Sequence, residues 1–161
     1  MIRKFLVGVM VALTCIIGSQ YASVNAASQT VYGNEEPALG GIRLGANMDY
    51  VRSVYGDPGS VEVHKPHHPL MGSQWIRWMY GDSFGILFSD GYVKAVFTSA
   101  NNGIKTTKGI HVGQNISEAK KVYPTLEKLD DTWYNLWLKR GDVIIFQTNK
   151  DGIIKEINLN R

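Results

Sequence analysis

The amino-acid sequence predicts an α+β fold made of two tandem repeats. Each is a short capped helix followed by about three antiparallel strands, and together they form one continuous sheet or two packed ones. Three observations predict this. The stretch from Gly41 to Tyr55 recurs from Gly109 to Tyr123. Each copy is followed by runs rich in aromatic and β-branched residues, separated by Asp-Gly turns. And a chain of 161 residues, 44% hydrophobic and 19% charged, has enough apolar surface to fold but room for only one domain or two very small ones.

Residues 1–26 stand apart from that plan. Arg3 and Lys4 precede an almost unbroken apolar run over residues 5–17. Such a run is too short to cross a bilayer and has the length of a signal-peptide core. Val24-Asn25-Ala26 supplies small or modest side chains before the expected cleavage point. The other reading of residues 1–26 is an uncleaved N-terminal anchor. Cys15 follows Thr14 and precedes two isoleucines, a pattern that argues against lipid attachment. The expectation is a chain secreted, periplasmic or held in the cell envelope, with no stable transmembrane segment after cleavage. Cys15 leaves with the leader, and disulfides and thiol chemistry leave with it.

Cleavage also resets the charge. Loss of Arg3 and Lys4 leaves 15 Lys and Arg against 14 Asp and Glu, so the formal +3 falls to +1. The longest basic run is a pair. A phosphate backbone needs a basic stripe, so nucleic acid is excluded as a partner.

Residues 27–40 are polar and small and read as a flexible lead-in. The first repeat then covers 41–103 and the second 104–161. Six positions of the recurring stretch are identical, including Asn47/Asn115 and the closing Val54-Tyr55/Val122-Tyr123. Asn47 and Asn115 are N-caps, and Glu118 stands at capping-box spacing from Asn115. Met48, Val51, Val54 and Tyr55 form one apolar helix face, and Ile116, Ala119, Val122 and Tyr123 repeat it. Gly56 suits a left-handed helix end, and Pro124 stops or redirects the second helix. Strands are expected at 60–64, 74–80, 83–89 and 92–99, then at 132–138, 143–148 and 153–159. The turns at Asp90-Gly91 and Asp151-Gly152 stand closer together in sequence than the two copies of the recurring stretch do. The first repeat therefore carries extra length between its helix and its sheet, in residues 58–73.

The opening Gly-Ile-x-(Leu/Val)-Gly, the capped helix ending in Val-Tyr and the Gly-x-Pro of the first copy resemble the small extracytoplasmic module of SmpA/OmlA outer-membrane lipoproteins. Two units in tandem over residues 41–161 resemble the β-lactamase-inhibitory-protein fold. That resemblance implies helices packed on an antiparallel sheet whose aromatic face binds other proteins. The chain departs from the first family in lacking a lipobox cysteine and from the second in lacking a disulfide framework. Fold likeness alone does not carry function.

The common sequence motifs of phosphate and zinc chemistry are absent. There is no Gly-Lys-Ser/Thr phosphate loop and no His-Glu-x-x-His pair. Asp57, Asp82, Asp90, Asp142 and Asp151 stand beside glycine or at turn positions, where Asp serves the backbone. The expectation is a non-enzymatic chain with no cofactor.

Two constellations remain. His64, His67 and His68 stand close together, near Met71. Imidazoles so close in sequence can share Cu(II), Ni(II) or Zn(II), which makes an extracytoplasmic metal-binding protein the alternative function. The plainer reading is a solvated, proline-stiffened loop. Trp75, Trp78, Trp133 and Trp137 concentrate in the first long strand of each repeat. Alternation places large apolar groups on both faces of those strands, and helices cover only one face of a single sheet. The tryptophans are therefore either an exposed platform for a protein partner or core filling. The first function expected is an inhibitor- or adaptor-like protein-binding module. The third reading, after the metal alternative, is a small hydrolase without a recognisable motif.

Overall fold

The computed structural model describes residues 37–65 and 74–161. The leader with Cys15, most of the lead-in, and His67, His68 and Met71 lie outside the described residues.

Helix α1 (Met48–Tyr55) is followed by β1 (Ser60–His64), β2 (Trp75–Tyr80), β3 (Phe84–Ser89) and β4 (Tyr92–Thr98). Helix α2 (Ile116–Val122) is followed by β5 (Glu127–Lys128), β6 (Trp133–Trp137), β7 (Val143–Thr148) and β8 (Ile154–Asn160). All eight strands form a single antiparallel sheet in the order β1-β2-β3-β4-β8-β7-β6-β5. Each helix thus precedes four strands rather than about three. The strand of the second set that the sequence does not announce is β5, too short to leave an alternating pattern. No described helix is long and apolar enough to cross a membrane.

Local chemistry explains the elements. The Asn47 side chain accepts from the Tyr50 amide, and that of Asn115 from the Ser117 amide. The Glu118 carboxylate binds Lys121 at 2.7 Å rather than closing a capping box. Gly56 takes φ 75° with ψ −160°, an extended mirror-image conformation and not the left-handed helical one expected. Asp90 and Gly91 both have positive φ (55° and 80°), the two-residue turn whose twist suits the β3–β4 hairpin.

Residues opposite one another in a sheet share a face. One row of partners runs Trp78, Ile86, Val96, Leu159, Ile144, Leu136, and every member is 5% exposed or less. Both helices cover this row. Val51 of α1 and Ile116 and Ala119 of α2 join its cluster. Tyr55 packs on Phe84, Tyr123 on Phe146, and Lys120 lies over the Tyr134 ring. The core is therefore one layer between two short helices and one sheet face. Ala38 and Leu39 are buried at 8% and 1% exposure, so the end of the expected flexible lead-in belongs to the core. Its backbone bonds to the loop before α2, with the Gly40 amide donating to the Lys105 carbonyl.

Candidate functional site: the helix-free face of the sheet

The opposite face is built from the alternate residues of the same strands. Its first row runs Glu62, Arg77, Leu87, Ala95, Asn160, Val143, Trp137. The next runs from Ser60 and Met79 through Gly85, Phe97, Asn158 and Ile145 to Asn135 and Glu127. Trp75 lies on this face opposite His64 and Ser89, and Trp133 lies on it opposite Gln147.

The tryptophans singled out in the sequence therefore divide. Trp75, Trp133 and Trp137 share the helix-free face. Trp137 is 56% exposed, and Trp75 and Trp133 are half-buried. Trp78 points the other way, 3% exposed under α1 with the Arg52 guanidinium 5.0 Å from its ring centre. It is a core residue, and its burial removes it from any contact surface. Five inter-strand spacings separate β2 from β6, which puts Trp75 and Trp137 about 24 Å apart, at opposite flanks. Leu87, Phe97, Ile145 and Val143 lie between them.

The flank around Trp75 is an interlocked cluster. The His64 imidazole stacks on the Trp75 indole, centroids 3.6 Å apart and planes 13° apart. The Arg77 guanidinium lies 5.4 Å from the Trp75 ring and 6.0 Å from the Phe97 ring, and its Nη1 donates to Glu62 at 3.2 Å. Phe97 lies over Gly85, where a Cβ would run into its ring and would lie 2.7 Å from the Met79 sulfur. At the other flank, Asp130 Oδ1 accepts from the Thr132 and Trp133 amides at 2.7 and 2.9 Å. Those bonds, Thr132 first, hold the Asp130 carboxyl below the ordinary carboxylate value and fix the chain where β6 begins.

Among the described residues, the buried side-chain polar atoms without a hydrogen-bond partner are Arg77 Nε and Asn135 Oδ1, and both belong to residues of this face. Sequence reasoning made neither a candidate site residue, because an Arg or an Asn within an alternating strand carries no motif. The only signal was position: each shares a face with a tryptophan two places along its own strand.

Of the histidines, His64 is placed, and its ring is engaged with Trp75 rather than held beside other ligand side chains. Among the described residues there is no group of three or more His, Cys, Asp or Glu positioned to hold a metal. His67 and His68 lie outside the described residues. His111 is half-buried, with Nδ1 2.9 Å from the Val112 carbonyl oxygen. A cavity of about 210 Å³ opens beside Gln74, Ile76, Phe88, Asp90 and Gly91, below the ~300 Å³ lower bound of ordinary small-ligand sites.

No protein-family model, no curated protein and no solved structure matches this chain. Its function is read from its own residues and geometry.

Proposed function

We propose that this chain is a non-enzymatic, inhibitor- or adaptor-like module of the secreted or cell-envelope space, exported by a cleavable leader, that grips a protein partner with the helix-free face of its sheet. The observation that carries this reading is the common orientation of Trp75, Trp133 and Trp137 away from both helices, with Leu87, Phe97 and Ile145 between them. A broad strip of half-exposed aromatic and aliphatic side chains is costly to leave in water and has the composition of protein-binding hot spots. Leader-like residues 1–26 support the location.

We further read the two helix-plus-strand sets as tandem repeats joined edge to edge. Laying the Asp90-Gly91 turn on the Asp151-Gly152 turn makes Val96 equivalent to Ile157, Phe97 to Asn158 and Thr98 to Leu159. In the sheet Val96 pairs with Leu159 and Thr98 with Ile157, so the equivalent residues exchange partners, and Phe97 stands opposite its own counterpart, Asn158. A pseudo-two-fold axis between β4 and β8 accounts for this register.

Capture from the producing organism's envelope and culture fluid tests the function. The wild-type chain should retain a partner that the Trp75→Ala/Trp137→Ala variant loses, with the circular dichroism spectrum unchanged. Retention of the same partner by the folded variant would contradict the reading.

A further inference from the structure

The sheet ends at the very short β5 on one side and at β1 on the other. β1 is a different kind of edge. All five of its residues are exposed, and it pairs with β2 along its whole length without a bulge. It contains no proline and no lysine. Edge strands are usually protected by such devices, because their free N–H and C=O groups template further pairing. The single charge on β1, Glu62, is bound to Arg77 at 3.2 Å. On the helix side, Val61 and Val63 are 53% and 50% exposed. α1 does not cover them: its Tyr55 reaches Tyr80 and Phe84, and its Arg52 reaches Trp78, all on β2 and β3.

We propose that β1 is a homodimer edge, where a second copy of this chain adds its own β1 antiparallel across a two-fold axis at Glu62. The strand is self-complementary in that register. Val61 faces the partner's Val63, Ser60 faces the partner's His64, and the same contacts repeat across the axis. Only Glu62 meets its own copy, and each carboxylate already has its Arg77. A register shifted by two places loses two of the five facing pairs. Registers shifted by one set the valines against the polar face and are excluded by the pleat. The axis is perpendicular to the sheet, so both helix layers stay on one side and the two helix-free faces become one. Charge complementarity within each copy and apolar complementarity between copies favour a second copy over a foreign strand. The inference does not rest on the proposed partner of the helix-free face.

Analytical ultracentrifugation of the chain as its host produces it, with Cys15→Ser if that residue is retained, tests the edge. A monomer–dimer equilibrium in the range of about 10 to 100 µM is expected, the strength of a small interface. Val61→Lys/Val63→Lys should raise the dissociation constant at least about tenfold, through like charges set opposite one another. Glu62→Cys provides a second reading that is independent of affinity. Facing residues in an antiparallel pair have Cα atoms about 4.5–5.5 Å apart, within disulfide range. Glu62→Cys should therefore oxidise to a covalent dimer. Ser60→Cys should not, because its two copies lie about 13 Å apart along the strands. A wild-type chain still monomeric at about 0.5 mM, a dimer indifferent to the valine substitutions, or equal cross-linking at positions 60 and 62 would overturn the proposal.

Discussion

The His64 imidazole lies flat on the Trp75 indole, with 3.6 Å between ring centroids. The stack couples the two residue types that the sequence singled out for different chemistry, one as a metal ligand and the other as an aromatic anchor. It fixes the orientation of an indole at the rim of the sheet, and Arg77 holds the same ring from further along β2. A rigid aromatic side chain loses less conformational entropy when a partner docks.

Removing the stack leaves the fold nearly intact. His64 is exposed, so His64→Ala should cost less than about 1 kcal/mol in chemical denaturation, as surface substitutions generally do. The same change, read at about pH 5 where an ordinary imidazole is protonated, should raise tryptophan fluorescence, because a protonated imidazole in contact with an indole quenches it. Unchanged emission would mean that the stack is not maintained in solution.

Arg77 contributes little net stability. Its ion pair with Glu62 is 38% and 50% exposed at the two side chains, and such pairs are worth about 0–1 kcal/mol. Its Nε is buried without an acceptor, which opposes the gain from the Trp75 and Phe97 rings. Arg77→Met keeps the packed stem and discards the orphan donor, so stability should stay within about 1 kcal/mol of wild type. A loss above about 2 kcal/mol would show that the guanidinium anchors the face.

Gly85 is required by Phe97. Gly85→Ala places a methyl group in the Phe97 ring and against the Met79 sulfur, so one of them must move. Overpacking of this kind costs about 1–3 kcal/mol and should appear as a lower Tm. The displaced ring should also weaken partner capture, while Gly59→Ala, whose Cβ would make only an ordinary contact 3.6 Å from the Met79 carbonyl oxygen, leaves the face alone.

The alkaline limb of stability belongs to tyrosines at the helix ends. Tyr55 donates to the Gly40 carbonyl at 2.6 Å, and burial, followed by the nearby Tyr80 and Tyr50, pushes its phenol up to about 12. Tyr123, bonded to Thr106, is raised as well, mainly by burial. The unfolded chain ionises near the ordinary value of 10.0 while the native Tyr55 keeps its proton. The native state thus binds more protons, and stability is intact below pH 10 and falls as pH rises toward 12. Tyr55→Phe should make that fall shallower and cost about 0.5–1.5 kcal/mol at neutral pH through the lost hydrogen bond. An alkaline limb of unchanged slope would contradict this.

The local level of the fold was legible because local chemistry sets it. Asn47 and Asn115 cap where the sequence places them, and the Asp90-Gly91 turn has the conformation its residue types favour. Strand boundaries agree to within a residue or so, as at β7 (Val143–Thr148). The pairing of β4 with β8 was not legible. It joins Val96 to Leu159, far apart along the chain, and no neighbouring residue signals a contact so distant in sequence. For the same reason the sequence left Trp78 and Trp137 on equal terms. Alternation assigns residues to two faces, but only the sheet order and the helices decide which face is covered. Arg77 and Asn135 were not singled out as site residues, because an orphan polar atom is a property of packing rather than of residue type.

The central claim is that the helix-free face is the contact surface, and hydroxyl-radical footprinting of the chain with its captured partner tests it most directly. Trp75, Trp133, Trp137 and Phe97 should lose reactivity in the complex, while Tyr50 and Val54 on α1 keep theirs. Protection confined to α1 and α2, with the three tryptophans as reactive as in the free chain, would contradict the account.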